Sequence, residues 1–204
     1  MARMSAEFRK AEIIAATLRL ADELGPDRLT TQAVADAVGL TQPGIFRHFP
    51  TKQALWQAVG ETMDVQMGEN WDAVLTETRA PEDRLRALIL TQLAQIERTP
   101  AIPAILHSRE LQAENPELHR RFRAIMMRFL GLLAAELERA RGMGRIRSEL
   151  DPGDGALLLI SLVQGLAMRW ALGGRAFALQ AEGRRLLEIQ LALMSHPANM
   201  GSTS

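Results

Sequence analysis

Leu29-Thr30-Thr31-Gln32-Ala33-Val34-Ala35-Asp36-Ala37-Val38-Gly39-Leu40-Thr41-Gln42-Pro43-Gly44-Ile45-Phe46-Arg47-His48-Phe49 reads as two very short helices joined by a tight turn and followed by an aromatic and basic cluster. Helices of about two turns do not hold themselves together in water, because nucleation is repaid only over longer runs or by packing. They need a supporting helix, and apolar helical sequence flanks them on both sides. Within the stretch each residue has an expected task. Thr30 can cap the first short helix, Thr31 to Val38, and Gly39 supplies the turn. Thr41 caps the second, with Pro43 in its first turn where a missing N–H costs little. Val34, Val38, Leu40 and Ile45 are spaced to fill a small core, and Ala35 falls where the helices cross. A paired-helix unit of this kind is how many proteins place a helix in the major groove of DNA.

Upstream, a helix is expected from Ala6 to Leu24 with Ala11, Ile14, Ala15, Leu18 and Ala21 as its apolar face, ended by Gly25. Downstream, Thr51 caps a long fourth helix starting near Lys52, with Trp56, Val59, Met63, Met67, Trp71 and Val74 along one side. A helix this long is expected to serve two cores, which puts a domain boundary inside it. Further helices are expected at Glu82–Arg98, Ile102–Ser108, Asn115-Pro116 to Arg141, Asp151-Pro152 to Leu172, and onward to His196. No segment alternates with a two-residue period, so the expected class is all-α with about nine helices. The expected division is a helix-turn-helix domain at 6–52, a larger domain at 53–196 and a polar tail at 197–204.

The composition suits this class. Hydrophobic residues make up 47% of the 204, enough for a packed core, and there is no Cys, which excludes disulfides, thiolate metal sites and cysteine nucleophiles. The run Ala156–Leu172 is the most membrane-like, yet it is short and carries Gln164 and Arg169, so it reads as a buried helix at a subunit interface. No apolar leader is apparent at the N-terminus, and a cytoplasmic location is expected. The net charge is zero, but Arg47, His48 and Lys52 stand between Thr41 and Gln53 without one acid.

Some polar residues exceed what a helical hairpin needs. Gln42 opens the third helix, where side chains reach base edges, and Gln can pair with adenine in the major groove. Thr31, Phe46, His48 and Lys52 are not required by the core, and Thr31 and Lys52 sit at helix starts that favour phosphate. Such contacts position a protein without reading sequence.

With these residues in place, the segment Arg9–Val59 resembles the N-terminal domain of tetracycline-repressor-like (TetR-family) transcriptional regulators. The resemblance rests on Leu29-Thr30-Thr31, Ala35, Gly39, Phe46-Arg47-His48-Phe49, Lys52 and Leu55. It implies base or near-base contacts for Gln42, Pro43, Gly44 and Arg47, and phosphate contacts for Thr31, Phe46, His48 and Lys52. One departure stands out: the family usually has Tyr at the position of Phe46, and losing that hydroxyl removes a hydrogen bond of about 1 kcal/mol.

The resemblance also implies that the later helices bind a small molecule and form a homodimer that holds two reading heads on a palindromic double-stranded operator. The dimer face is expected at Leu158, Leu162, Gly165, Leu166 and Arg169, with Leu187, Gln190, Leu191 and Met194. The ligand pocket is expected among Met63, Met67, Trp71, Met126, Phe129 and Met168, with His107, Glu110 and Gln164 as orienting groups. A ligand acting through the fourth helix would change the separation of the two recognition helices, most simply releasing a repressor from its operator. An enzyme is not expected: Walker, nucleophile-elbow and dinucleotide patterns are absent, and His107 with Glu110, three apart on a presumed helix face, are too few for a metal site. No cofactor or metal is expected. The rival readings are a helical adaptor that binds another protein and no longer binds DNA, and behind it a metal-dependent enzyme.

Overall fold

The computed structural model describes residues 2–77 and 80–195, with side chains from Ala6 onward. Among them the regular elements are helices: α1 (Ala2–Leu24), α2 (Thr31–Ala37), α3 (Gln42–His48), α4 (Lys52–Thr76), α5 (Pro81–Arg98), α6 (Ala101–His107), α7 (Arg109–Glu114), α8 (Pro116–Gly142), α9 (Pro152–Leu172) and α10 (Leu179–Met194). The fold is all-α. The expected tail at 197–204, and His196 before it, lie outside the described residues.

Among the described residues there are ten helices, in line with the expected nine or so, the additional one arising because Ser108 starts a helix where it was expected to end one. Its hydroxyl accepts from the Leu111 N–H at 2.9 Å and donates to the Asp27 carboxylate. A capping serine of this kind looks like a helix terminus from either side. His107 and Glu110 therefore belong to different helices, α6 and α7, and both are exposed. They do not share a helix face.

The chain packs as two compact units, one of residues 1–66 with 99–123, the other of 67–98 with 124 onward. The divisions fall inside α4, after the end of α5 and inside α8.

In the first unit α1 packs against α2, α3 and α6. Its buried face is Ile13, Ala16, Thr17, Leu20 and Ala21, whereas Ala11 and Ala15 are exposed and Ile14 and Leu18 half-buried. The expected face is thus rotated. Residues 13–16 are Ile-Ile-Ala-Ala, so the apolar period has no clear phase, and a buried threonine was not counted. Thr17 is accommodated because its Oγ1 donates to the Ile13 carbonyl at 2.8 Å. Leu29, Val34, Ala35, Ile45, Phe49, Leu55, Trp56 and Val59 complete this core, while Val38 and Leu40 are only half-buried.

Three threonines set where the short helices begin. Thr30 Oγ1 accepts from Ala33 N–H at 3.1 Å, Thr41 Oγ1 from Gly44 N–H at 3.2 Å, and Thr51 Oγ1 from Ala54 N–H at 3.0 Å. Each such cap stabilises by about 1 kcal/mol. Gly39, at φ +66°, makes the left-handed turn between α2 and α3.

In the second unit α10 packs on α5 and α9, and α5 on α9. Leu85, Leu88, Ile89 and Leu93 of α5 are buried, as are Leu159, Val163, Leu166 and Trp170 of α9 and Leu187, Leu191 and Met194 of α10. Asp151 Oδ1 caps α9, accepting from Gly153 and Asp154 N–H at 2.8 and 3.1 Å. α9 is long and apolar enough to cross a membrane by length and composition alone. It packs against α5 and α10 on one side, and Leu157 and Leu158 are exposed on another. The loop before it is held to the end of α10: Arg147 N–H donates to Met194 O at 3.0 Å, and its Nε to Ser195 O at 3.1 Å.

Candidate nucleic-acid interface

α3 buries Ile45 and turns its other positions outward. Pro43, Phe46 and Arg47 are exposed, and Gln42, Gly44 and His48 half-buried. Phe46 keeps 39% of its surface accessible, unusual for an aromatic side chain with a core beside it. Lys52 is the first residue of α4 and half-buried, next to the Thr51 cap. The acid-free segment from Thr41 to Gln53 thus gathers Arg47, His48 and Lys52 at the end of α3 and the start of α4.

Thr31 departs from the expectation that the core does not need it. It is only 8% exposed, and its Oγ1 accepts from Gln42 Nε2 at 2.7 Å, across the turn from α2 to α3. The pairing could not be read from sequence, since the two residues are eleven apart on different helices. Gly44 has room: a Cβ there would meet Thr41 Oγ1 at 3.4 Å, ordinary contact.

The expected pocket residues are divided between the units. Met63, His107 and Glu110 belong to the first; Met67, Trp71, Met126, Phe129, Gln164 and Met168 to the second. In the second unit Trp71 stacks on Phe129 with centroids 4.8 Å apart at 22°, and the Arg128 guanidinium lies 5.0 Å from the Trp71 ring centroid. Met67 is buried, Met168 half-buried, and Met126 and Gln164 exposed, joined by a weak Nε2 to Sδ contact of 3.5 Å. Sequence reasoning missed the polar side of this cluster. Trp71 Nε1 donates to Gln92 Oε1 at 3.2 Å, and buried Gln95 accepts at Oε1 from Asn70 Nδ2 at 3.3 Å and from an Arg98 amino group at 3.0 Å. The three-residue spacing of Gln92 and Gln95 on α5 was the available signal, and it was not considered.

The residues expected at the dimer face divide by burial within the chain. Leu166, Leu187, Leu191 and Met194 lie in the unit's own core. Leu158, Gly165 and Arg169 are exposed, and Leu162 and Gln190 half-buried. The outward apolar positions of α10 are instead Ile189, at 49% exposure, and Leu193, at 67%. α9 and α10 are apolar on both faces, so periodicity alone does not tell inside from outside. Leu158, Leu162, Leu186, Ile189 and Leu193 line an open groove of about 730 Å³ bordered by Arg147 and Glu149. Arg169 is engaged within the unit, donating to Glu182 at 3.0 Å with its guanidinium 4.8 Å from the Phe177 ring centroid. Hydrogen bonds from Arg185 and then Arg169 pull the Glu182 carboxyl down to about 2.

Two short capped helices around a left-handed glycine, braced by α1 and α4, define a helix-turn-helix DNA-binding regulator. The comparisons with known proteins agree. Residues 13–59 match the family described as bacterial regulatory proteins, tetR family, and residues 81–195 the C-terminal family of BetI-type transcriptional repressors. The chain belongs to the TetR family of bacterial transcriptional regulators. It is 27% identical over 166 residues to the nucleoid occlusion factor SlmA of Marinobacter nauticus, covering 79% of this chain and 83% of that one. Its fold is similar to that of the ketosteroid transcriptional regulator KstR2 of Mycobacterium tuberculosis, with TM-score 0.78 and 18% identity over 92% of this chain and 95% of the other. The regulator FadR of Bacillus subtilis in complex with stearoyl-CoA has TM-score 0.76 and 17% identity, covering 89% and 97%.

Proposed function

We propose that this TetR-family regulator is a cytoplasmic, homodimeric repressor, released from a palindromic operator by a small apolar or amphipathic organic molecule. The observation that carries the reading is the exposed face of α3 and the start of α4, where Gln42, Pro43, Phe46 and Arg47 stand beside His48 and Lys52 without an acid between Thr41 and Gln53. Gln42 and Arg47 read base edges, Pro43 and Gly44 let the backbone approach, and Thr31, Phe46, His48 and Lys52 seat phosphates. The match of residues 81–195 to BetI-type repressors favours repression over activation.

Two heads are needed to read two half-sites a helical turn apart. The open apolar groove of Leu158, Leu162, Leu186, Ile189 and Leu193 supports a twofold contact there, with Gly165 allowing close approach. For the ligand, the aromatic pair Trp71–Phe129 with Met67 and Met168 supports an apolar body, and the Gln92–Gln95–Asn70 cluster a polar end. Its effect is driven only by a difference in affinity between DNA-bound and free states.

The test is selection of fragmented genomic DNA from the source organism on the purified protein, followed by sequencing. An enriched inverted repeat supports the reading and supplies the operator. Absence of enrichment at modest salt, by protein freed of carried-over ligand through unfolding and refolding, overturns it in favour of a protein-binding adaptor.

A further inference from the structure

Gln42 does not face solvent freely. Its Nε2 donates to Thr31 Oγ1 at 2.7 Å, and Thr31 is almost fully buried against the head's core. A carboxamide has two N–H hydrogens and one carbonyl oxygen. With one N–H held by Thr31, the outward edge of Gln42 presents one acceptor, Oε1, and one donor. Adenine offers the complement in the major groove, the N6 donor beside the N7 acceptor. Guanine offers two acceptors, N7 and O6, and asks for two donors. A glutamine with both N–H hydrogens free can supply them; one tied to Thr31 cannot.

We infer that Thr31 is a positioning residue for base recognition, because its hydroxyl oxygen holds one amide hydrogen of Gln42 and leaves the adenine-matching edge outward. This rests on the proposed DNA reading and alters one part of it. Thr31 then serves twice: its oxygen accepts from Gln42, and its own O–H hydrogen remains for a phosphate. A residue that touches no base thereby sets which base is chosen.

The experiment uses the full-length protein and a duplex library with a randomised core. Wild type, Gln42→Ala, Thr31→Val and Thr31→Ser are each used to select and sequence DNA. Gln42→Ala identifies the base pair that Gln42 reads, as the position whose preference flattens. Valine keeps the buried shape of threonine and removes only the hydroxyl; serine keeps the hydroxyl. The expected result is that Thr31→Val lowers the adenine-over-guanine preference at that same position by roughly fivefold or more, and that Thr31→Ser retains it. An unchanged preference with uniformly weaker binding overturns the inference and leaves Thr31 a phosphate contact alone. Thr31→Ala repeats the test if thermal melting shows that valine disturbs α2. Failure of wild type to enrich any sequence is a different outcome and overturns the DNA reading itself.

Discussion

Gly183 of α10 lies directly against Leu93 of α5: a Cβ built on the glycine would overlap Leu93 Cδ1, with Leu166 Cδ1 3.7 Å away. Leu93 and Leu166 are both buried, so a Cβ here forces Leu93 Cδ1 to shift within the core. The close approach of α5, α9 and α10 is set at this point by the absence of a side chain. Alanine here gains up to about 1 kcal/mol of helix propensity. Overpacking costs about 1–3 kcal/mol, so Gly183→Ala is expected to lower stability. Gly44→Ala is the contrasting case, since its Cβ meets Thr41 Oγ1 at an ordinary 3.4 Å. It is expected to raise stability by about 0.5–1 kcal/mol. Urea unfolding of both variants beside wild type measures the opposite signs.

Glu182 joins α9 to α10 by accepting from Arg169 at 3.0 Å, and it also accepts from Arg185 at 2.8 Å. These hydrogen bonds lower its pKa from 4.5 to about 2. A carboxyl with a depressed folded pKa contributes stability that is fully present above its unfolded value and is lost as pH falls through the folded one. Wild type is therefore expected to melt above Glu182→Gln at pH 7, with the difference shrinking below pH 4.5 and vanishing near 2. Melting temperatures of both proteins across that range check it, and a constant difference would assign the effect to packing.

Lys52 and Gln42 are expected to fail differently. A lysine on phosphate releases a counterion on binding, so Lys52→Ala is expected to reduce the slope of log affinity against log salt by about one, alike on specific and random DNA. Gln42→Ala is expected to keep the slope and relax preference at one base pair. Fluorescence anisotropy titrations at several salt concentrations separate them. Equal losses on both kinds of DNA for both variants would remove the division between seating and reading.

The head was the most legible part of the chain because its signals are local. Threonine caps, a glycine turn and a proline in a first turn act within four residues, and Thr30, Gly39 and Thr41 stand where they were expected. What sequence did not disclose was anything that depends on two distant residues or on helix phase. The Thr31–Gln42 bond spans two helices, and Ser108 caps the helix that follows it while bonding Asp27 from the α1–α2 loop. α1 carries apolar residues on more than one face, so its buried side was assigned wrongly, and the same ambiguity on α10 hid that Leu187, Leu191 and Met194 turn inward. On α9, Leu158 and Gly165 are exposed, which sequence periodicity alone did not distinguish from the inward Leu159 and Leu166.

Inward and outward leucines of α10 offer a sharp test of the proposed dimer. Leu191 is buried within the unit, whereas Leu193 and Ile189 are exposed on the groove side. Leu191→Ala is expected to cost about 2–5 kcal/mol of stability, the range for removing a buried leucine. Ile189→Glu and Leu193→Glu add charge where the free chain already meets water, so the folded protomer tolerates them. In a twofold contact each added carboxylate appears twice across one axis, where desolvation and like-charge repulsion oppose association. The double variant Ile189→Glu/Leu193→Glu is therefore expected to stay helical and sediment as a monomer at concentrations where wild type is dimeric. Its affinity for a two-half-site operator should fall with it, while binding to a single half-site is retained. A double variant that sediments as wild type would place the contact on another face of the chain.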